Sequence, residues 1–354
     1  MTFQMITEAQ RDDWNAFVCK APHASILQSF EWGEVKSGTW QPVYASVIDD
    51  NGQWLAAALI LKRVLPMGLS IFYIPRGPVF KNNNPKLTQF FFEAIKKSAK
   101  QEKVIVIKCD PEIPETSAEW IGAFKNSGFT YNPENVQPRG TIILDIQPTS
   151  EELLKSFHHK TRYNIKLAEK KGVIIKEENS IQGIDLFYDL FKVTSERDHF
   201  MILHRSYFHH LWKTLAQKNM ATVLVAYFNG QPLAAIFQTL FGSRMTYLYG
   251  ASSNEHRNLM PNHLIHWQAI LWAKNRGATT YDFWGIPSNP AEGHPLWGVY
   301  RFKKGFCETE TKWMGTYECI LNPVKYKLFT TIVHKAKTSI RFLKTGKIKS
   351  SLEE

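Results

Sequence analysis

The chain has 354 residues, of which 44% are hydrophobic and 13% aromatic, enough apolar surface for two domains of ordinary size. Its formal net charge of +11 favours a polyanionic or phosphate-bearing partner. No stretch approaches the roughly 20 apolar residues of a membrane span, the amino terminus lacks a secretory signal, and the four cysteines show no paired short spacing. The sequence therefore predicts a cytoplasmic globular protein without a disulfide framework.

Two stretches of the chain share one pattern of strands and turns. In each, an Asn-Gly pair separates two alternating apolar segments, at Asn51-Gly52 in the first copy and at Asn229-Gly230 in the second. This pattern predicts a hairpin with a type I′ turn, whose two central residues both have positive φ. A third apolar run follows each hairpin, so the chain is a duplication.

Each copy continues with a predicted helix and a further strand. The first copy has helical spacing over residues 87–100 and a buried strand over 104–108. The second has a nearly apolar helix over 264–274 and a strand over 280–284. The order strand, strand, strand, helix, strand predicts an α+β fold made of two tandem domains like those of the N-acetyltransferase fold known as GNAT.

A dense run of positive charge separates the two copies. Thr149 and Glu152 have the spacing of a capping box, which predicts a helix over residues 151–171 that ends at Gly172. Its basic side chains are Lys155, His158, His159, Lys160, Arg162, Lys166, Lys170 and Lys171.

The domain boundary is predicted just before this basic helix. Domain 1 then covers residues 1–147 and domain 2 covers residues 148–316. The strand-like run at 317–321 returns the chain to domain 1, which the segment 317–354 completes.

The C-terminal residues 325–349 mix basic and apolar side chains. This mixture is typical of a surface helix on an anionic membrane leaflet, where each basic residue contributes about 1 kcal/mol. The alternative is a solvated terminal helix. The sequence thus leaves open whether the protein is cytoplasmic throughout or also peripheral at the inner face of the plasma membrane.

Six motifs together resemble the FemABX family, bacterial peptidyltransferases that add amino acids from aminoacyl-tRNA to peptidoglycan precursors. The resemblance extends from about residue 25 to residue 325. The motifs are LQSFEWGEVK (27–36), YIPRGP (73–78), KTRYNIKLAEKKG (160–172), MPNHL (260–264), YDFWGI (281–286) and YRFKKGF (300–306).

The resemblance implies an aminoacyltransferase of the cell wall, and no cofactor is expected. Its donor is aminoacyl-tRNA, and its acceptor is the stem-peptide amine of a lipid-linked or uridine-diphosphate-linked muropeptide precursor. Better-known members carry a coiled-coil arm, for which the interval between Arg197 and Ala221 is too short, so the chain is similar to the compact members. If that arm grips tRNA, the basic helix with Arg162 and Lys166 is the expected substitute, through phosphate contacts. No DNA partner is expected.

Lys303 and Phe302 occupy the family positions implied to act in catalysis. The resemblance assigns Lys303 to charge stabilisation of the tetrahedral transition state, which an amine attacking an ester requires. The alternative from the residues alone is a basic surface run of Arg301, Lys303 and Lys304.

Other candidate residues concern the acceptor. The resemblance implies that Lys36 contacts the precursor's pyrophosphate, whereas from the residues alone it is equally an ordinary helix-end lysine. Arg205, with Tyr207 close by, is implied to supply a second phosphate contact. Arg76 is held between prolines and either contacts substrate or bonds loop carbonyls. Tyr249 either lines the acceptor groove or is a core tyrosine.

Asp282 is the carboxylate within the apolar run 281–286. It is either a catalytic base or a buried aspartate bonded by nearby backbone donors. The family does not require a dedicated side-chain base, so the mechanism does not depend on this choice.

Two other classes of function remain open. An acyl-coenzyme A dependent N-acyltransferase would share the fold, but residues 257–262 lack the glycine-rich turn that cradles pyrophosphate. A non-catalytic cell-envelope assembly protein would bind the precursor without turnover. The histidines lack the spacing of a zinc site, and no metal is expected.

Overall fold

The computed structural model describes residues 1–21 and 24–332, which form two compact units. Unit 1 contains Met1–Gly140, Ile286–Tyr300 and the described residues from Lys312 onward. Unit 2 contains Thr141–Gly285 and Arg301–Thr311. Each unit has its own β-sheet with helices packed on it, which confirms the predicted α+β class with two tandem GNAT-like units.

Strands and helices alternate irregularly along the chain. The strands are β1 (Thr2–Ile6), β2 (Gln41–Ile48), β3 (Trp54–Val64), β4 (Ser70–Ile74), β5 (Val79–Phe80), β6 (Val104–Cys109), β7 (Thr130–Asn132), β8 (Gly140–Asp145), β9 (Ile174–Glu177), β10 (Ala221–Phe228), β11 (Gln231–Phe241), β12 (Arg244–Ser252), β13 (Thr280–Ile286), β14 (Thr311–Lys312) and β15 (Thr316–Ile320). The helices are α1 (Arg11–Lys20), α2 (Phe30–Lys36), α3 (Pro85–Gln101), α4 (Ala118–Asn126), α5 (Ser150–Ser156), α6 (His159–Lys170), α7 (Ile181–Asp198), α8 (Arg205–Ala216), α9 (Pro261–Asn275) and α10 (Trp297–Lys304).

The sheet of unit 1 has the order β1-β2-β3-β4-β6-β15-β7, with β5 paired to β3. Its strands are antiparallel except for β4 and β6, which run parallel. The C-terminal strand β15 lies between β6 and β7, so the chain returns to unit 1 after leaving unit 2. Helix α3 covers this sheet through a buried stripe at helical spacing, formed by Leu87, Phe91, Phe92, Ile95 and Ala99.

The sheet of unit 2 has the order β14-β8-β13-β12-β11-β10-β9. Strand β8 belongs to this sheet because it pairs with β13, whereas the predicted boundary left residues 141–147 in domain 1. Residues 286–300 likewise group with unit 1 although the sequence placed them in domain 2. Strand pairing decides the assignment of residues 141–147, and neither segment carries a composition change that marks it.

The two Asn-Gly turns differ. Asn229 and Gly230 both have positive φ, 49° and 80°, as a type I′ turn requires. In the first copy only Gly52 is left-handed, and the type I′ prediction is wrong there. The Asp49 carboxylate accepts the N–H groups of Asn51 and Gln53, both at 2.9 Å, and this local bonding favours a longer loop.

The predicted basic helix over residues 151–171 is two helices. The Thr149–Glu152 capping box is present, but α5 ends at Ser156, and Phe157 is extended with a ψ of 152°. Phe157 is buried against Trp267 and Phe306, with ring centroids 5.6 and 5.2 Å away, and this packing turns the chain before α6 begins.

Two helical glycines differ in the space around them and so provide a matched test of local packing. In α7, a Cβ on Gly183 would lie 1.9 Å from the Glu178 carbonyl oxygen, whereas a Cβ on Gly122 in α4 would meet open space. We expect Gly183→Ala to lower the free energy of unfolding by about 1–3 kcal/mol, because backbone must shift. Gly122→Ala should raise it by about 0.5–1 kcal/mol. Urea unfolding followed by circular dichroism measures both, and equal shifts would contradict the packing described here.

Candidate active site

The central strands of unit 2 part from each other halfway along their length. β12 and β13 pair in parallel from Arg244 to Thr246, where Thr246 lies opposite Asp282. The β12–β13 pairing ends at this point, and the β11–β12 register shifts between Phe237 and Gln238. The parting of the strands leaves main-chain groups beyond Asp282 available to other partners.

Trp284 bends the end of β13. Its backbone is left-handed, with a φ of 60°, which costs a non-glycine residue roughly 1 kcal/mol. The Trp284 N–H donates to Asp282 Oδ1 at 2.9 Å and so holds the bend. In this conformation the carbonyl groups of Trp284 and Gly285 accept hydrogen bonds from Lys303 Nζ, at 3.3 and 2.7 Å.

Lys303 is a buried lysine, with 5% of its surface exposed. Burial lowers its pKa to about 8, and the negative charge of Asp282 partly opposes the shift. An ammonium group has three N–H donors, and the two carbonyl groups occupy two of them. The Nζ atom also lies 5.8 Å from the ring centroid of Tyr247 on β12. The side chain is therefore fixed, protonated at neutral pH and close to its titration range.

Aromatic and imidazole rings pack around the preceding residue, Phe302. Its ring centroid lies 5.1 Å from His263, 5.3 Å from His266 and 5.4 Å from Phe306. Burial lowers the pKa of His263 to about 4 and that of His266 to about 3. Both imidazoles are therefore neutral at neutral pH and do not repel the Lys303 ammonium. Phe302 acts here as packing beside Lys303, with no reactive group of its own.

Asp282 is fully buried and bonded through both carboxylate oxygens. Oδ1 accepts from Thr141 Oγ1 and from the Trp284 N–H, and Oδ2 accepts from the Arg244 guanidinium. Of the two interpretations of this residue, the geometry supports the buried, hydrogen-bonded aspartate. A carboxylate engaged in this way is poorly placed to accept a proton from an incoming amine.

Another part of unit 2 contains Arg205, Tyr207 and Tyr249. Arg205, at the start of α8, bonds Asp185 of α7 at 2.7 Å and also pairs with Asp189. Its guanidinium carbon lies 4.5 Å from the Tyr188 ring centroid. The hydroxyl groups of Tyr207 and Tyr249 are hydrogen-bonded to each other. Arg205 therefore already has two carboxylate partners with which an anionic ligand must compete.

The β12 tyrosine beside Lys303 is Tyr247, a residue that the sequence interpretation missed. Tyr249 faces α7 and α8, where its ring lies 5.2 Å from Phe208. Tyr247 packs instead on His266 of α9, with centroids 4.4 Å apart. A Cβ on residue 250 would lie only 1.6 Å from the Tyr247 hydroxyl oxygen, so this position requires glycine. Gly250 is therefore a signal in the sequence for the placement of Tyr247.

Arg76 and Lys36 both lie in unit 1 but differ in their surroundings. Arg76 is 3% exposed and left-handed, its N–H donates to Asp110 Oδ1 at 2.7 Å, and its guanidinium donates to the Pro138 carbonyl at 2.8 Å. These bonds support the structural interpretation of Arg76. Lys36, in the last turn of α2, lies 4.8 Å from the Trp32 ring centroid, and burial lowers its pKa to about 8.

The two predicted tRNA-binding residues on α6 also differ. Arg162 donates to the carbonyl groups of Lys155 and Phe157 and so stabilises the break between α5 and α6. Lys166 is exposed. With its neighbours at i, i+4, i+7 and i+11 spacing it forms one stripe, here called the α6 stripe: His159, Tyr163, Lys166 and Lys170.

Within residues 1–21 and 24–332, no group of three or more His, Cys, Asp and Glu side chains is placed to hold a metal ion. None of the helices in this part of the chain combines the length and apolarity needed to cross a membrane. The turn before α9 has left-handed residues at His256 and Met260, followed by Pro261, which has no N–H to offer a phosphate.

The fold and this site define a tandem GNAT-like protein with a buried lysine where two central strands part. The model of the FemAB family matches residues 9–231 and 226–335, and the chain belongs to that family. The lipid II:glycine glycyltransferase of Staphylococcus saprophyticus is 28% identical over 93% of this chain and 95% of its own length. The crystal structure of FemX superimposes with a TM-score of 0.85 at 26% identity, covering 93% of this chain and 99% of FemX.

A more distant structure supports the fold alone. A tandem GNAT protein from the clavulanic acid biosynthesis pathway matches with a TM-score of 0.55 at 10% identity. The match covers 90% of this chain and 97% of that protein. The two-unit α+β architecture is therefore shared beyond the FemAB family.

The lowered pKa of Lys303 has a measurable effect on stability. Lys303 has a pKa of 10.5 in the unfolded chain and of about 8 in the folded protein. Between pH 8 and 10.5 the unfolded chain therefore binds more protons than the folded protein, and the free energy of unfolding should rise with pH over this range. Replacing the amine in Lys303→Met should remove up to about 3 kcal/mol of this rise. Urea unfolding at a series of pH values tests it, with Lys192→Met, at an exposed position on α7, as control. Parallel profiles for wild type and Lys303→Met would contradict the shift.

Proposed function

We propose that this protein transfers an amino acid from aminoacyl-tRNA to the stem-peptide amine of a peptidoglycan precursor and so builds the interpeptide bridge of the bacterial cell wall. The buried, carbonyl-bonded Lys303 where β12 and β13 part is the observation that carries the proposal. A relative named lipid II:glycine glycyltransferase supports a lipid-linked acceptor. The proposed reaction takes place in the cytoplasm at the inner face of the plasma membrane.

Lys303 stabilises the charge that develops during aminoacyl transfer. The acceptor amine attacks the ester carbonyl carbon of the aminoacyl-tRNA, and the carbonyl oxygen becomes an oxyanion. Two Lys303 N–H groups are held by the Trp284 and Gly285 carbonyls, so the third can donate to that oxyanion without reorganisation. When the tetrahedral intermediate collapses, the carbon–oxygen bond to the ribose breaks and the amide bond remains.

The proton balance needs no dedicated side-chain base. The attacking amine enters in its unprotonated form and loses one proton as the amide forms, while the leaving ribose oxygen gains one. Asp282 has both carboxylate oxygens bonded, and His263 and His266 are packed among rings. With a pKa of about 8, Lys303 can pass a proton to the leaving oxygen and regain one from the medium near neutral pH.

Several residues are proposed to bind the acceptor. Lys36 contacts the pyrophosphate of the precursor, a task suited to a compact ammonium group. Arg205 breaks its ion pair with Asp189 and makes a second phosphate contact instead. Tyr207 and Tyr249 offer hydroxyl groups to the stem peptide. Arg76 stabilises the loop after β4.

The α6 stripe is proposed to bind the donor tRNA. Its two lysines offer phosphate contacts. Tyr163 lies between His159 and these lysines, and 65% of its surface is exposed. An exposed aromatic ring among cations is the arrangement on which unpaired bases stack. The stripe lies on the opposite side of α6 from the buried Thr161, Ile165 and Ala168, so it faces solvent along its whole length.

The basic C-terminal segment is proposed to contact the anionic leaflet. Most of its residues, from 333 onward, lie outside the described part of the chain. Within the described part, residues 323–332 are helical, and Val324, Leu328 and Ile332 are exposed at intervals of four. This spacing places them along one side of the helix, as in a helix that rests on a membrane surface.

Transfer assays on Lys303 variants test the proposed function. Radiolabelled amino acid on bulk charged tRNA is offered with lipid-linked and with uridine-diphosphate-linked precursor. We expect Lys303→Ala to lower kcat about 10²–10³-fold, because the oxyanion loses its charge partner. Lys304→Ala is the matched control, since that neighbouring lysine bonds Glu308 and Glu310 instead.

The possible results separate three classes of function. No label on either precursor with wild-type protein would refute aminoacyl transfer. Retention of coenzyme A would then favour an acyl-coenzyme A dependent N-acyltransferase. Tight precursor binding without turnover would favour a non-catalytic assembly protein.

Variants of the α6 stripe test the donor. We expect Tyr163→Ala to raise the KM for charged tRNA roughly tenfold, through loss of base stacking. Lys166→Ala should reduce the slope of log KM against log salt concentration by about 0.7–0.9, because one phosphate contact is lost. Lys192→Ala, on the exposed side of α7, serves as control. Unchanged KM values for both stripe variants would remove α6 from the tRNA site.

A further inference from the structure

A turn at one end of the unit 1 sheet exposes large apolar side chains. β3 ends at Val64 and β4 begins at Ser70. Between these strands 82% of Met67 is exposed, as is 53% of Val64. The Leu65 N–H donates to the Leu69 carbonyl at 2.8 Å, so the turn closes on itself with Met67 at its tip. Contiguous exposed apolar groups commonly mark a contact surface.

The strand register places the start of the C-terminal segment at the same end of the sheet. β4 and β6 run parallel from Ser70 and Val104, and β15 runs antiparallel to β6. The chain therefore leaves β15 beside the start of β6, where the Leu321 N–H donates to the Ile105 carbonyl at 2.9 Å. The helical residues 323–332 follow, with Val324 80%, Leu328 54% and Ile332 58% exposed.

Basic side chains accompany these apolar groups. Arg63 precedes Val64 and is exposed. Lys103 directly precedes β6, and its carbonyl accepts the Ser70 N–H at 3.1 Å. Lys325 and Lys327 are exposed in the helical segment. Apolar tips surrounded by Lys and Arg fit an anionic bilayer, because the tips enter the acyl boundary while the cations meet the headgroups.

The proposed phosphate-binding lysine also lies at this end of the sheet. Lys36 ends α2, and its carbonyl accepts the Trp40 N–H at 2.9 Å. The Arg63 guanidinium carbon lies 5.6 Å from the Trp40 ring centroid, and Arg63 adjoins the apolar turn. In a lipid-linked precursor the pyrophosphate joins the sugar to the lipid, so it lies at the bilayer surface. A phosphate site beside a membrane-contacting turn satisfies that geometry.

We infer that this end of unit 1 docks on an anionic bilayer and that Met67 inserts into it. The docking surface consists of residues 63–69, Lys103 and residues 323–332, and is called the membrane-facing end. The inference rests on the proposed lipid-linked acceptor, and it names the surface through which the protein reaches that acceptor. It also assigns a folded turn, in addition to the basic C-terminal segment, to membrane contact.

Vesicle binding by the full chain tests the membrane-facing end. Phosphatidylcholine vesicles with and without phosphatidylglycerol are the probe. We expect Met67→Asp to lower the partition coefficient on anionic vesicles about tenfold, through loss of one inserted side chain. Aspartate tolerates the left-handed backbone of this position, where φ is 61°, so the variant should fold. Lys103→Glu should weaken binding to anionic vesicles and leave binding to neutral vesicles unchanged.

Matched variants guard against an indirect effect. Met201→Asp changes a methionine that is 77% exposed in unit 2 and should bind vesicles like wild type. Val64→Asp changes a second side chain of the turn and should weaken binding as Met67→Asp does. Wild-type binding by both turn variants, or an equal loss in Met201→Asp, would overturn the inference.

Two acceptors separate this inference from the proposed function. Met67→Asp should transfer to the soluble uridine-diphosphate-linked precursor at the wild-type rate, which also shows that it is folded. Its KM for lipid-linked precursor in vesicles should rise about tenfold, in line with the partition coefficient. An unchanged KM for the lipid-linked precursor would overturn the inference alone. Wild-type protein that transfers to neither precursor would overturn the proposed function, and the vesicle measurements would still decide whether the turn meets a bilayer.

Discussion

The buried carboxylate of Asp282 is the constraint on which the candidate active site depends. It accepts hydrogen bonds from Thr141 on β8, from Arg244 on β12 and from the main chain of Trp284. These bonds join three neighbouring strands at the point where two of them part. Removing one partner from a buried ion pair typically costs 3–5 kcal/mol, because the other charge is left uncompensated. The carboxylate thus acts on the site through structure, by fixing the bend whose carbonyl groups hold Lys303.

Unit 1 has a comparable buried aspartate with a different neighbourhood. Asp110 directly follows β6 and accepts the Arg76 N–H and the Tyr73 hydroxyl, and burial raises its pKa to about 6. The guanidinium beside it pairs with the buried Glu112 at 3.4 Å. Each sheet therefore buries an aspartate in or directly after the second of its two parallel strands, while the cation nearby differs. In unit 1 the arginine is paired with a carboxylate, whereas in unit 2 a lysine is held by neutral carbonyl groups, which do not neutralise its charge.

A lysine held in this way has the properties that the proposed aminoacyl transfer requires. Carbonyl groups fix the Nζ atom without neutralising it, and burial moves its pKa towards neutral pH. The packed rings of His263, His266 and Phe302 limit the water that could screen its charge. In a low-dielectric environment a fixed ammonium group acts more strongly on a developing oxyanion than it would in water. Favourable packing elsewhere in unit 2 offsets the free-energy cost of burying this charge.

Much of the fold follows from local sequence. The spacing of Leu87, Phe91 and Ile95 predicts α3, Asn229-Gly230 predicts a type I′ hairpin, and the order of strands and helices predicts the α+β class, all of which the structure has. These features depend on neighbours only a few residues away, so periodicity and turn chemistry reveal them. The motif around Lys303 likewise marks this lysine as a candidate site residue before any contact is known.

Tertiary structure decided what depends on distant partners. Phe157 breaks the predicted basic helix because it packs on Trp267, a residue far along the chain. Arg162, a candidate for tRNA contact, donates to carbonyl groups at that break, and a bulge turns Tyr247, rather than Tyr249, towards Lys303. The sequence by itself determined the elements and the chemical types of the site. The direction of each side chain, and the burial that shifts the pKa of Lys303, arise only when strands and helices distant in sequence meet.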